Sequence, residues 1–223
     1  FFANNPGLDQ MIHLAGAFFG DFSNLLRINV EATYNLLETA ARNGVKKVIF
    51  SSSGAVYGEP IGQESFEDDP RNTNTAYGLT KKMAEDIVFY LSQNSGLRYV
   101  ILRFAAVYGE GNDKGVVHNF LRDIKEKKKI TVNGDGTQSR NFLHVDDACQ
   151  SIEKSIFYEQ SDIFNISNPV RVSLNDLIDR LKKDHQFDIE YKETDNNLKD
   201  LSLNIGKAKE KLKFEPQVTE IRI

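Results

Sequence analysis

Residues 48–54 read Val48-Ile49-Phe50-Ser51-Ser52-Ser53-Gly54. Three consecutive apolar residues without polar alternation describe a strand buried on both faces, and three hydroxyl side chains before a glycine close it. On the N-terminal side, residues 24–43 repeat apolar positions at helical spacing (Leu26, Val30, Leu36, Leu37, Ala40) and Gly44 follows as a helix stop. Before them, Met11-Ile12-His13-Leu14-Ala15 reads as the end of another buried strand. On the C-terminal side, a long loop with Pro60 and Pro70 leads to a helical stretch over 76–95, ended by Gly96. Tyr99-Val100-Ile101-Leu102 is then a third strand. Such an alternation predicts an α/β fold, with a parallel sheet covered by helices on both faces. Smaller units follow: helices over 115–128, 146–159, 173–184 and 206–212, and a strand at Ile130-Thr131-Val132. Asp146 and Asp147 are N-cap candidates at the start of one of these helices.

The 223 residues are enough for one sizeable domain, or for a main domain with a small lobe. Hydrophobic residues make up 40% and charged residues 27%, which excludes a disordered chain. Lys+Arg 28 against Asp+Glu 32 leaves −4, which excludes a generally basic nucleic-acid-coating protein. The basic run over 125–129, interrupted by Glu126, reads as a solvated helix end. The single Cys149 excludes an intrachain disulfide framework and a cysteine zinc cluster. His13, His118, His144 and His185 show no metal-ligand spacing, so no metal is expected. No apolar run is long enough to span a bilayer, and the first residues have no basic segment before an apolar stretch. The expectation is a cytoplasmic protein without a membrane or nucleic-acid partner.

Tyr77-Gly78-Leu79-Thr80-Lys81 sets a phenol and an ammonium four residues apart, on one face of a helix. A cation near a phenol favours the phenolate, so the spacing predicts that Lys81 lowers the pKa of Tyr77 and fits it for acid–base work on a hydroxyl. Alone, this spacing also describes an ordinary surface pair. Ser51, Ser52 and Ser53 add weight, because they end a strand at the sheet edge where open α/β folds bind ligands. One expected feature is missing. A dinucleotide-binding sheet opens with a strand, a glycine-rich turn and a helix N-terminus that receives the pyrophosphate. No GxGxxG loop occurs, since Gly109/Gly111 and Gly134/Gly136 are isolated pairs, so the sheet is expected to begin in its middle.

Taken in order, the motifs resemble the extended short-chain dehydrogenase/reductases, in the nucleotide-sugar epimerase/dehydratase group that includes UDP-galactose 4-epimerase. The matching stretches begin with Ile12-His13-Leu14-Ala15-Gly16, Asn29-Val30-Glu31-Ala32-Thr33 and Ser51-Ser52-Ser53-Gly54-Ala55-Val56-Tyr57-Gly58. They continue through 77–81, Leu102-Arg103, Val107-Tyr108-Gly109, 134–142 and His144-Val145-Asp146-Asp147-Ala148, and end on Gly206-Lys207-Ala208. The resemblance implies an N-terminally incomplete Rossmann-type doubly wound parallel sheet. Residues 1–110 and 140–166 would form a partial dinucleotide-binding domain, and 111–139 with 167–223 a small α/β substrate lobe.

The same resemblance implies the roles of single residues. Tyr77 would be the acid/base, assisted by Ser53, and Lys81 would lower its pKa and grip the nicotinamide ribose. Ala15, Gly16, Ser51, Ser52 and the backbone at Val107 would lie along NAD, with NADP not excluded. Asn29 matches a residue near the cofactor, although a polar side chain tying down a neighbouring loop is an equal reading. Arg140 would bind the diphosphate of a nucleotide sugar through bidentate contacts. Ser53, Ala106 and the backbone at Val116 would also meet that substrate. His13 and His144 would be packed, not catalytic.

Several positions depart from the family pattern. Ala106 stands where many epimerases have Asn, Asn133 where an aromatic often packs on the base, and no late Arg is evident between Tyr191 and Leu203. Ser51-Ser52-Ser53 in place of Thr-Asp-Glu favours an epimerase or reductase over a dehydratase. The missing loop leaves three alternatives: a fragment, strands supplied by another polypeptide, or a shortened protein without catalysis. The expected function is an NAD(P)-dependent nucleotide-sugar 4-epimerase. The alternatives are a non-catalytic or truncated form, or a reductase, dehydratase or decarboxylase of the same family. A homodimer through helices 24–43 and 76–95, with Phe89 and Tyr90 exposed, is also implied.

Overall fold

The computed structural model describes residue 5 and residues 7–59, 62–193, 202–218 and 221. The N-terminal stretch read for a leader and the absence of a late Arg fall largely outside these residues. In chain order the first half comprises β1 (Gln10–His13), α1 (Phe22–Leu25), a π-helical stretch Leu26–Glu31, α2 (Ala32–Arg42), β2 (Lys47–Ser53), α3 (Ala76–Ser95), β3 (Arg98–Phe104) and β4 (Ala106–Tyr108). The second half comprises α4 (Gly115–Lys125), β5 (Ile130–Asn133), β6 (Ser139–His144), α5 (Val145–Ile156), β7 (Asp162–Ile166), β8 (Arg171–Ser173), α6 (Leu174–Leu181), β9 (Ile189–Lys192) and a π-helical turn Ala208–Leu212.

The main sheet has the order β1-β2-β3-β7, with every pair parallel. Alternate residues of β2 serve two cores. Val48 and Phe50 pack with Leu37 and Ala40 of α2 and Ala84, Val88 and Leu91 of α3. Ile49 faces the other way and joins Val100, Leu102, Phe164, Ala148 of α5 and Leu212. A strand buried on both faces has no polar side to alternate with, which is why its sequence is uniformly apolar. A third cluster gathers Phe120 of α4, Ile130 and Val132 of β5, Phe142 of β6, and Leu177, Ile178 and Leu181 of α6. Strand β6 supplies both neighbouring cores, Leu143 to one and Phe142 to the other. Among the described residues β1 pairs only with β2, and its Ile12 and the following Leu14 are 43% and 54% exposed.

Helix α3 matches its sequence signal: Thr75 Oγ1 accepts from Gly78 N at 3.1 Å, and Gly96 ends the helix at φ 69°. The helix expected over 24–43 is present, running from Phe22 to Arg42, with a π-helical stretch at Leu26–Glu31 that carries the buried Asn29. The helix expected over 115–128 stops at Lys125, and Lys127 adopts φ 55°. Asp146 and Asp147 do not cap α5. His144 does, its Nδ1 accepting from Asp146 N at 3.2 Å, while the buried Asp147 carboxylate accepts from Gln217 N and Val218 N at 2.7 and 3.1 Å. Phe89 is half-buried between the Tyr99 ring at 5.4 Å and the Arg71 guanidinium at 5.6 Å, so of the two aromatics expected on the surface only Tyr90 is exposed. No helix among the described residues is long and apolar enough to cross a membrane.

Candidate active site

Strand β2 ends at Ser53, whose Oγ accepts from Ala55 N at 3.2 Å in a 3-10 turn over Gly54–Val56. Helix α3 begins against this turn because residue 78 is glycine. A Cβ there would lie 2.4 Å from Ala55 O and 2.0 Å from Thr73 Oγ1. The close approach brings Tyr77, in the first turn of α3, into polar contact with the Ser53 side chain. Burial raises the Tyr77 pKa above the ordinary phenol value, and Ser53 opposes the rise. Desolvation dominates the acidity of this phenol, and Ser53 supplies the opposing pull.

Lys81 lies one turn along α3 and is 5% exposed. Its Nζ stands 4.6 Å from the centre of the Phe50 ring and has no hydrogen-bond acceptor or ion-pair partner among the described residues. Burial lowers its pKa to about 8, and Glu85 pulls the other way. Gly16 lies beside it, where a Cβ would sit 3.7 Å from Lys81 Nζ and 3.2 Å from Asn29 Oδ1. Asn29 anchors this loop: Ala17 N donates to its Oδ1 at 2.7 Å, and its Nδ2 donates to Ala17 O and Thr80 Oγ1 at 2.8 and 3.0 Å. The loop-tying role weighed for Asn29 is the one its bonds describe. His13 is packed, bonded to Thr33 Oγ1 at 3.0 Å and held at a pKa of about 4 by burial and by Lys81. A buried ammonium with free donors beside an open glycine backbone fits a ligand that brings hydroxyl oxygens, as a ribose does.

Ser52 shares the face of Val48 and Phe50, toward α3. Strand alternation turns it to the opposite face from Ser51 and Ser53, and its hydroxyl donates to Glu85 Oε1 at 2.5 Å. The hydroxyl expected along the cofactor is thus engaged by a buried carboxylate of α3. Glu85 is the centre of a buried network that the sequence reading did not find. Arg103 donates to both its oxygens, at 3.0 and 2.9 Å, and also to Tyr57 Oη at 2.7 Å and Glu67 O at 2.9 Å. Tyr57 donates to Asn165 Oδ1 at 2.7 Å, and Arg71 reaches Glu85 Oε2 at 3.1 Å. Two signals were present: an arginine inside the apolar strand 98–104, and a glutamate continuing the four-residue spacing from Tyr77 and Lys81. A charge buried in a strand requires a partner.

The remaining residues lie on other elements. Ala15 and Gly16 are exposed in the loop after β1, and Ser51 is half-buried in β2. Ala106 is exposed at the start of β4. The carbonyl of Val107 already accepts from Asn112 Nδ2 at 2.7 Å, which removes part of the backbone expected to meet a cofactor. Val116, in the first turn of α4, packs on the third core. Arg140 of β6 lies opposite Val172 and has no ion-pair partner among the described residues.

A family model described as the NAD dependent epimerase/dehydratase family matches residues 1–167. A putative UDP-glucose 4-epimerase of Methanocaldococcus jannaschii is 33% identical over 199 residues, covering 86% of this chain and 65% of that protein. UDP-glucuronic acid decarboxylase 6 of Arabidopsis thaliana is 29% identical over 227 residues, covering 95% and 66%. The chain thus spans about two thirds of the length of these curated relatives. The crystal structure of UDP-glucuronic acid 4-epimerase from Bacillus cereus, in complex with UDP-glucuronic acid and NAD, superposes with a TM-score of 0.89 at 26% identity, covering 97% of this chain and 73% of that one. A sheet wound on both faces, a serine–tyrosine–lysine cluster at its carboxyl edge and the match over three quarters of the residues lead to one conclusion: the chain belongs to the NAD dependent epimerase/dehydratase family.

Proposed function

We propose that this chain carries out NAD-dependent 4-epimerisation of a UDP-sugar. The observation that carries the reading is the juxtaposition of Ser53 and Tyr77 beside the buried ammonium of Lys81, which has no hydrogen-bond or ion-pair partner among the described residues. Lys81 Nζ would hold the nicotinamide ribose, with the backbone at Ala15 and Gly16 and the side chain of Ser51 along the cofactor. NAD, when bound, supplies a hydride acceptor and donor. As the phenolate, Tyr77 Oη would take the proton from the sugar 4-hydroxyl while the C4 hydride passes to NAD, and would return it to the 4-oxygen after the sugar has presented its other face. Ser53 Oγ donates its one proton to the phenolate while its lone pair accepts from the sugar 4-hydroxyl, holding the two in line. The raised pKa of Tyr77 suits the return step, because the phenol holds a proton to give.

Arg140 would pair with the UDP diphosphate, and Ala106 and Val116 would line the sugar-nucleotide side. The core built on α4, β5, β6 and α6 would serve as the substrate lobe. A homodimer through α2 and α3 and a cytoplasmic setting complete the proposal. UDP-galactose incubated with NAD and the chain is expected to yield UDP-glucose. Tyr77→Phe should lower that turnover by roughly 10²–10⁴-fold, the range for a positioned acid–base group, and full activity in that variant would sink the assignment. A second reading, decarboxylation of UDP-glucuronate, is favoured by the 29% identical plant relative. Release of carbon dioxide from UDP-glucuronate without UDP-glucose formation would select it. Should calorimetry find no NAD binding, the non-catalytic reading takes its place.

A further inference from the structure

Tyr77 has one neighbour that neither the motif nor the proposed chemistry uses. The Phe18 ring stands edge-on to it, with centroids 4.5 Å apart and planes at 62°. Phe19 packs edge-on against Phe18 in turn, at 4.7 Å and 90°. Both aromatics face solvent on their other sides, at 51% and 62% exposure. A soluble chain does not gain by leaving two adjacent phenylalanines half in water, so their position calls for an explanation beyond core packing. The loop that carries them is held tightly: Ala17, the residue just before Phe18, is the one bonded through both N and O to Asn29. Asn29 is bonded in turn to Thr80, on the same helix as Tyr77. One carboxamide therefore sets the distance between the Phe18 backbone and the Tyr77 backbone.

We propose that Phe18 is a positioning residue for proton transfer at Tyr77: its ring is the apolar wall that holds the phenol against Ser53 and keeps bulk water from its hydroxyl. The inference rests on the acid–base role proposed for Tyr77. An edge-to-face pair restricts the neighbouring ring and replaces water along one side of it. The direction in which burial moves Tyr77 agrees with such a wall. The ionisable groups next along its own helix face are Lys81 and Glu85, and His13, which Lys81 helps to keep neutral above about pH 4, stands at the end of β1. Ser53 faces it from the end of β2.

The test titrates the phenol directly, by its ultraviolet ionisation difference between the chain and its Tyr77→Phe variant, in backgrounds of Phe18, Phe18→Ala and Phe18→Leu. This readout needs neither cofactor nor turnover. Removing the ring in Phe18→Ala should lower the Tyr77 midpoint by about one pH unit as water reaches the hydroxyl, while Phe18→Leu, still apolar, keeps most of the shift. If the chain turns over UDP-galactose, the acidic limb of its kcat profile should move by the same amount in Phe18→Ala, with KM for the nucleotide sugar changed less than kcat. An unchanged midpoint in Phe18→Ala, or an equal fall in both variants, overturns the proposal. Absence of turnover in every background, with the midpoint shifted in Phe18→Ala alone, overturns the epimerase reading and leaves the wall standing.

Discussion

Two phenol–cation pairs sit at the carboxyl ends of β2 and β3, and they are built in opposite ways. Tyr57 and Arg103 are saturated. The guanidinium lies 4.9 Å from the Tyr57 ring centre, donates to its hydroxyl and also holds both oxygens of Glu85. Burial pushes the Tyr57 pKa up to about 12. Tyr77 and Lys81 are left open. The phenol is half-buried, with its polar contact to a single serine hydroxyl, and the ammonium has no partner among the described residues. Buried polar groups that satisfy one another specify a structure, whereas buried donors left free specify a place for something else. Glu85 belongs to the first pair by its bonds and to the second by its field, since it alone pulls the Lys81 pKa back up.

Substitutions can break that contrast, and the largest effect is expected in the saturated pair. Arg103→Met strands the Glu85 carboxylate in the core and should cost about 3–5 kcal/mol in urea unfolding, the range for a broken buried pair. A loss under 1 kcal/mol would mean that Arg71 alone suffices for Glu85. Next, Gly78→Ala forces a methyl onto the backbone carbonyl of Ala55. A cost of about 1–3 kcal/mol is expected, together with a weakened Ser53–Tyr77 contact, read as a shifted Tyr77 titration. Wild-type stability in this variant would show that the helix start can slide.

The smallest effect is expected in the open pair. Lys81→Met removes a buried ammonium that has no partner among the described residues, so the variant should be no less stable than the parent chain at pH 7. Their difference in stability should change only in alkali. The folded-state pKa of Lys81, about 8, lies below its ordinary 10.5, so the unfolded chain binds more protons between those values. Stability of the parent should therefore rise relative to Lys81→Met as pH climbs from about 8 to 10.5, and lie flat below that window. Parallel curves across the whole range would show that Lys81 is not desolvated.

Much of this was legible in the residues. The apolar runs at 48–50 and 99–102 and the glycine stops at Gly44 and Gly96 marked strands and helices, because burial on two faces and left-handed helix ends leave local signatures. The Tyr77–Lys81 spacing is likewise local. The wide turn at Leu26–Glu31 was not legible, since Asn29 reads as an ordinary helical residue until Ala17 and Thr80 stand beside it. Nor were the partners of the serines, because Ser52 meets Glu85 and Ser53 meets Tyr77 only once α3 is laid against β2.

The chain by itself determined a parallel α/β sheet through its periodicity, and carried the motifs whose resemblance pointed to a family and to the groups at the sheet's carboxyl edge. Only the tertiary structure decided which of those groups stay unpaired. Partnership is a matter of distance between segments far apart in sequence, and the cost of burying a charge is settled by whichever donor or acceptor the fold happens to bring within reach.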